Sequence, residues 1–235
     1  MGFIFSFCIP AFNEEENIEL VLQDCIFFSE CYRVSCEIVV VNDCSTDGTS
    51  LILNKYRNLY SNVKIVENVL NLGCHLSVKR AFDCAEGEWL VFLPADRQIK
   101  AEIVHLARPL LDQFDLIATK RVIRKDVFFR RLVSAFYNNI LRFITGIKIH
   151  DFDSSIIIRK SFYNEIRPFL REKTASLSVE IAVRVSTHLG RVCEIPIPHY
   201  PRVAGVARGL NIRDIWAVPS SLFRLYRLVL QSRDV

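Results

Sequence analysis

Within the first 119 residues four short apolar runs each give way to a polar turn and then to an amphipathic stretch. That alternation restricts what the chain can fold into more than any other feature. The runs are Phe3–Ile9, Glu37–Val41, Val63–Glu67 and Trp89–Leu93. Ile38-Val39-Val40-Val41 shows no polar alternation, as expected of a strand buried on both faces. The intervening stretches, from Glu14 to about Ser29, from Thr49 onward, Leu72–Ala85 and Ala101–Gln113, read as helices, the first capped by Asn13 ahead of Glu14-Glu15-Glu16. Strand–helix alternation at this spacing implies a parallel sheet with crossover helices. With 235 residues, 51% of them apolar, the chain is long enough for one large core and too apolar for disorder.

After Asp115–Thr119 the texture changes to a basic loop containing Lys120, Arg121, Arg124, Lys125, Arg130 and Arg131, and a helical stretch then reaches about Ile144. A strand at Ser155–Arg159, a helix around Ser178–His188 and a strand at Val192–Pro198 follow. Charge divides along the same line. Residues 1–119 hold 9 Lys and Arg against 17 Asp and Glu, whereas residues 120–235 hold 21 against 9. The second half is therefore expected to face an anion: lipid phosphate, headgroups, a nucleotide diphosphate or nucleic acid. No nucleic-acid motif appears, which ranks nucleic acid last. The eight cysteines form no CxxC pair and no metal-ligand spacing, so they read as reduced thiols of a cytosolic protein. The apolar start has no basic n-region and leads straight into the first polar turn, so it reads as a strand, not a signal peptide. No run approaches the roughly 18 apolar residues of a spanning helix, so an integral membrane protein is not expected.

In open parallel sheets ligands bind beyond the carboxyl ends of the strands, which directs attention to Pro10–Asn17, Asn42–Thr49, Asn71–Arg80 and Pro94–Gln98. These places read IPAFNEEENI, VVVNDCSTDGT, NLGCHLSVKRAF and FLPADRQ. They are followed by DFDSSIIIRK (151–160), SVEIA (178–182), EIPI (194–197) and RVAGVAR (202–208). The ordered set resembles the family 2 glycosyltransferases, with the dolichol-phosphate mannose synthases and other polyprenyl-phosphate glycosyltransferases nearest in pattern, and it covers nearly the whole chain. The resemblance implies the α/β nucleotide-diphospho-sugar transferase (glycosyltransferase A) fold, a Rossmann-like, mixed but mostly parallel sheet flanked by helices. Residues 1–210 would form a single domain, with a nucleotide-sugar-binding half at 1–119 and an acceptor-binding half at 120–210. Residues 211–235 would form a C-terminal amphipathic helical segment.

The resemblance also implies roles. Pro10, Ala11 and Glu14 would wrap the nucleoside, whereas Glu15 and Glu16 read as helix-start charges. Asp43 would hydrogen-bond the base or ribose, Gly48 would supply the tight turn, and Asp47 reads as the cap of the next helix. Lys79, or its neighbour Arg80, stands where a basic residue is expected near the diphosphate. Relatives usually read Asp-Ala-Asp-Leu-Gln at the metal motif, where this chain reads Pro94-Ala95-Asp96-Arg97-Gln98. Asp96 and Gln98 would hold Mg²⁺ or Mn²⁺ across the diphosphate. A hard cation bound through substrate phosphates needs only one or two protein carboxylates, so Pro94 weakens the site without excluding activity. Arg97 is expected to offset leaving-group charge, and either Asp151 or Asp153 to stand in for the missing carboxylate.

For the acceptor, guanidinium groups suit phosphate oxygens. Arg121, Arg131, Arg202 and Arg208 are the candidates, with Arg202 heading the Arg-Val-Ala-Gly-Val-Ala-Arg segment. Glu180 matches a carboxylate that relatives keep at the active site. It would orient a phosphate acceptor or, with Asp153 as the other candidate, act as general base toward a hydroxyl. His150, His188 and His199 receive no role. The donor would be a UDP- or GDP-sugar and the acceptor a dolichyl or undecaprenyl phosphate, with transfer by inversion. Near the end, Leu222, Phe223, Leu225, Tyr226, Val229 and Leu230 share one face opposite Arg224, Arg227 and Gln231, which suits either a membrane interface or the domain core. The expected location is the cytoplasmic face of a membrane, held peripherally or by a membrane-protein partner. A hydroxyl acceptor or a non-catalytic binding protein are the alternatives.

Overall fold

The first apolar run forms β1 (Phe5–Ala11), and Cys36–Asn42 forms β2; both are buried throughout but for Pro10. The computed structural model describes residues 2–122, 128–170, 176–202 and 227, with the backbone alone for 128–133. Successive residues of these strands point into two different cores, as strand geometry requires. Phe7, Ile9, Ile38 and Val40 join one core, and Cys8, Val39 and Val41 join the other. The uninterrupted apolar run of β2 is thus explained by helices on both faces.

One layer holds α1 (Ile18–Tyr32), α2 (Thr49–Leu59) and α4 (Ile103–Ala107). The other holds α3 (Cys74–Cys84), α5 (Phe128–Thr145), α6 (Lys160–Ile166) and α7 (Leu177–Thr187). In α1 the buried positions Ile18, Val21, Leu22, Cys25 and Ile26 recur at helical spacing and form the face laid on the sheet. That helix stops where Arg33 adopts a left-handed φ of 51° and its N–H returns to Glu30.

The remaining strands are β3 (Val63–Glu67), β4 (Trp89–Phe92), β5 (Leu116–Val122), β6 (Ile156–Arg159) and β7 (Val192–Pro198). Together they make one seven-stranded sheet ordered β3-β2-β1-β4-β6-β5-β7. β6 runs antiparallel to both β4 and β5, and every other pairing is parallel. The sheet is therefore mixed and mostly parallel, and it runs without a break from the acidic half of the sequence into the basic half. β1 lies between β2 and β4, so the crossovers diverge on its two sides and leave a crevice at its carboxyl end.

Two expectations need correction. The helix after Pro10 starts at Ile18, not Glu14, because Asn13 takes a left-handed φ of 52° and turns its side chain to the second loop; it caps no helix. The expected helix over 101–113 is short and ends in a 3-10 turn at Arg108–Leu110, since Pro109 cannot donate the next helical hydrogen bond.

Candidate active site

The crevice is built by lacing the loop after β1 to the loop after β2. Asn13 N–H donates to Ser45 Oγ at 3.0 Å, and Asn13 Oδ1 accepts from Thr46 N–H at 2.7 Å. Glu14 N–H donates to Thr49 Oγ1 at 2.8 Å. Glu15 is more than a helix-start charge, because its carboxylate accepts the Gly48 N–H at 2.6 Å while its own N–H reaches Asp47 at 3.2 Å. A Cβ on Gly48 would stand 2.8 Å from that same carboxylate oxygen, and its φ is an ordinary −70°. A side chain here would displace only the flexible end of Glu15, so the position disturbs the Glu15–Gly48 contact without demanding glycine. Asp47 accepts the Thr49 N–H at 3.0 Å, so it does serve the start of α2. Burial raises its carboxyl, but the hydrogen bonds from the Thr49 side chain and from the backbone of Thr49 and Glu15 outweigh that and hold it below the usual range.

Asp43, buried at the end of β2, accepts from Asn68 Nδ2 at 2.7 Å, Leu72 N–H at 2.8 Å and Gly73 N–H at 2.8 Å. Gly73 takes a φ of 86°, which lets its N–H face the carboxylate as α3 begins. Asn68 also contacts Ser77 Oγ at 3.0 Å and accepts from the Arg80 guanidinium. Of the two basic candidates on α3, Arg80 therefore belongs to the Asp43 network. Lys79 lies instead within electrostatic reach of Asp83, among Tyr163 and Arg167. Asn68 escaped sequence reasoning, although its place one residue beyond β3 is the signal that could have found it.

At the end of β4, Asp96 accepts the Gln98 N–H at 3.1 Å. Burial raises its carboxyl above the usual range, Gln98 and Arg202 pull the other way, and Glu14 adds to the rise. Arg202 Nη2 lies 2.6 and 2.8 Å from the two carboxylate oxygens of Glu14, whose Oε2 also accepts from Asn17 Nδ2 at 2.8 Å. The Glu14–Arg202 pair thus lies within electrostatic reach of Asp96, and Asp43 joins the end of β1 through its N–H, which donates to Ala11 at 2.8 Å. Arg97 is not part of this arrangement. A left-handed φ of 62° turns Arg97 outward, where its guanidinium forks onto Asp24 of α1 at 2.8 and 3.0 Å. The expectation that Arg97 offsets leaving-group charge is corrected accordingly.

Among the described residues no three His, Cys, Asp or Glu side chains gather to hold a metal ion unaided. The donor set, one carboxylate in Asp96 with the Gln98 amide nearby, is all oxygen and suits a hard cation whose other ligands come from a diphosphate. A cation there would also oppose the burial that disfavours ionised Asp96.

The basic half of the sequence contributes the loop before β6. Asp151, buried, receives Arg121 through a fork, Nε at 2.7 Å and Nη2 at 2.8 Å. Arg121 is thus committed to a carboxylate, not to the acceptor-phosphate role expected of it from the sequence. Two residues on, Asp153 is exposed to the cleft and accepts from Ser176 Oγ at 3.4 Å. Desolvation by the surrounding protein raises its carboxyl, Asp151 adds to the rise, and Arg121, His75 and the Ser176 hydroxyl oppose it. His75, another residue missed from sequence, accepts the Leu177 N–H at 3.4 Å and so ties α3 to the start of α7. Glu180 is buried in the first turn of α7. His150 does find a partner, Glu194 on β7, 2.7 Å from its Nδ1. Arg131 lies in α5 at a position where the backbone alone is described, and Arg208 and the 211–235 segment, Arg227 apart, lie outside the described residues.

Residues 6–177 match the family model described as Glycosyl transferase family 2. Among curated proteins the chain is similar to the undecaprenyl-phosphate 4-deoxy-4-formamido-L-arabinose transferase of Proteus mirabilis, 27% identical over 203 residues that cover 85% of this chain and 61% of the relative. It is also similar to the dodecaprenyl-phosphate galacturonate synthase of Rhizobium johnstonii, 28% identical over 211 residues, 86% of this chain and 61% of that one. The chain spans about three fifths of the length of these relatives. Among solved structures it resembles Staphylococcus aureus TarS in complex with UDP-GlcNAc, with a TM-score of 0.65, 21% identity, and coverage of 97% of this chain and 66% of that one. It likewise resembles glucosyl-3-phosphoglycerate synthase of Mycobacterium tuberculosis in complex with UDP, with a TM-score of 0.69, 18% identity, and coverage of 95% and 80%. The likeness to these structures shows the fold, the nucleotide-diphospho-sugar transferase fold. The family match extends over most of the sequence and takes in all four strand-end loops of the crevice, and on that basis the chain belongs to glycosyl transferase family 2.

Proposed function

We propose that this chain transfers a sugar from a nucleotide-diphosphate sugar to a polyprenyl phosphate. The observation that carries the reading is the convergence of Glu14, Asp43, Asp96 and Arg202 at the carboxyl ends of β1, β2 and β4, the place where an open α/β sheet receives a nucleotide. The relatives named for undecaprenyl and dodecaprenyl phosphate support the acceptor, and the fold neighbours with UDP or UDP-GlcNAc support the donor.

In this reading the loops of Pro10–Glu14 and Asp43 hold the nucleoside, and Arg80 approaches the diphosphate from α3. Asp96 and Gln98 would hold Mg²⁺ or Mn²⁺, which supplies charge neutralisation on the diphosphate. Arg202 trades its contact with Glu14 for the leaving group and so stabilises charge where it develops. An acceptor phosphate oxygen attacks the anomeric carbon, the nucleoside diphosphate departs in line, and configuration inverts. A phosphomonoester has a second pKa near about 6, so the nucleophile needs positioning and no base. In this reading the protein works peripherally at a membrane surface, on the cytoplasmic side. Arg131 and Arg208 stay as candidates for phosphate contact, Glu180 for orienting the acceptor, and Asp153 for the carboxylate near the donor sugar.

One observation favours a second reading, transfer to a hydroxyl. Asp153 has a raised carboxyl with Asp151 beside it, as a general base would. The test is transfer of labelled sugar from a panel of UDP- and GDP-sugars into an organic-extractable product, with polyprenyl phosphate and Mg²⁺ or Mn²⁺ present. Incorporation abolished by chelator and by Asp96→Ala supports the proposal. Nucleotide binding without incorporation would overturn the acceptor, and failure to bind any nucleotide would leave a non-catalytic protein.

A further inference from the structure

Glu194, in the EIPI stretch of β7, has no part in the mechanism above, yet its carboxylate is the tie for the loop that carries the acceptor-side aspartates. Oε1 accepts the His150 N–H at 2.6 Å and the Asp151 N–H at 3.0 Å, and Oε2 meets His150 Nδ1 at 2.7 Å. One side chain thereby satisfies two successive backbone donors and one ring donor. Such charge-assisted bonds to backbone N–H groups are the strong kind. The Glu194 side chain is largely enclosed, and β7 is itself fixed by seven residues of parallel pairing with β5, Ala118 standing opposite Glu194.

The tie continues. With its N–H fixed by Glu194, Asp151 turns its carboxylate to Arg121 on β5, and Asn138 of α5 accepts the next amide, Phe152 N–H, at 3.0 Å. Asp153 comes directly after, held on its other side by Ser176. From Glu194 to Asp153 every intervening residue is anchored by a named partner.

We propose that Glu194 is a positioning residue for the transfer reaction, acting through the amides of His150 and Asp151 to set the place of Asp153 and the Asp151–Arg121 pair at the acceptor side of the cleft. The role rests on the glycosyltransferase reading for its catalytic consequence, while the anchoring itself does not depend on it. Misplacement of a reacting geometry by about 1 Å costs about a hundredfold in rate. Glu194→Ala removes all three contacts. Glu194→Gln keeps one oxygen for the two amides and loses only the acceptor facing His150.

Two measurements on the full chain separate the anchoring from the activity. In hydrogen exchange, Glu194→Ala is expected to accelerate exchange at His150 and Asp151 at least tenfold while the Asp43 loop stays protected, and Glu194→Gln is expected to change it little. In the transfer assay, Glu194→Ala is expected to lower kcat about a hundredfold with the donor KM unchanged, and Glu194→Gln to recover most of it. Unchanged exchange at His150 and Asp151 in Glu194→Ala would overturn the proposal whatever the protein transfers. A matched fall in donor affinity with uniform loss of protection would overturn it by showing only a general structural role. If wild-type protein transfers to no polyprenyl phosphate, the functional reading fails, and the exchange result still decides the anchoring.

Discussion

Arg202 sets one guanidinium nitrogen against both carboxylate oxygens of Glu14, joining the residues that follow β7 to the loop that follows β1 across 188 positions of sequence. Both side chains are mostly buried. The pair places a cation beside Asp96, where the diphosphate of a donor would lie in the proposed reaction, and Arg202→Ala removes it. The expected outcome is a loss of kcat of about a hundredfold or more. Steady-state kinetics would show it, with a circular dichroism spectrum like that of the parent.

The Asp43 carboxylate takes three hydrogen bonds, two of them from backbone N–H groups. Asn at this position keeps one acceptor oxygen but turns an NH₂ toward a backbone N–H, Leu72 or Gly73. We expect Asp43→Asn to cost about 2 kcal/mol and Asp43→Ala about 3 kcal/mol, with nucleotide binding lost in both. Urea denaturation and thermal shift with nucleoside diphosphates check the two effects separately.

Arg97 makes the opposite case. Its fork onto Asp24 is partly exposed, and it sits at a left-handed φ that favours glycine. Arg97→Ala should cost about 1 kcal/mol of stability and leave the rate of transfer within a few-fold. A tenfold or larger fall in kcat would return Arg97 to the site.

Asp83 supplies a pH dependence. Burial raises its carboxyl, but the hydrogen bonds from Arg167, at 2.6 and 3.1 Å, and from Tyr163 OH, at 2.7 Å, outweigh that and hold it below its ordinary 3.8. A depressed carboxyl contributes stability that is present above the unfolded value and lost as pH falls through the folded one. Asp83→Asn should therefore be destabilised by about 1 kcal/mol at neutral pH, the exposed Arg167 limiting the effect. The gap between variant and parent should close as pH drops below 3.8, which melting temperatures across an acid series would follow.

The sheet was readable because β-branched runs and their crossover helices are local patterns. Val63–Glu67 and Val192–Pro198 have the bounds expected of them, and the strand-end rule led to Asp43 and Asp96. Side-chain direction was not readable. Arg97 stands next to Asp96 in sequence and Arg121 is itself a candidate, yet each forks onto a carboxylate distant in the chain, Asp24 or Asp151, and no spacing rule encodes that choice. Asn13 has the composition of a cap but serves a loop 33 residues away. His75 and Glu194 act only through contacts between the two halves of the sequence, His75 with Leu177 and Glu194 with His150. Pairings of that kind become visible only once the sheet has brought their strands and helices together.

The central claim is transfer to a phosphate, and the most direct measurement offers one donor with two acceptors that differ only there, polyprenyl phosphate and the corresponding polyprenol. The account predicts product with the phosphate and none with the alcohol. Product from the alcohol alone, abolished by Asp153→Asn, would contradict it and make Asp153 the general base of a hydroxyl-directed transferase.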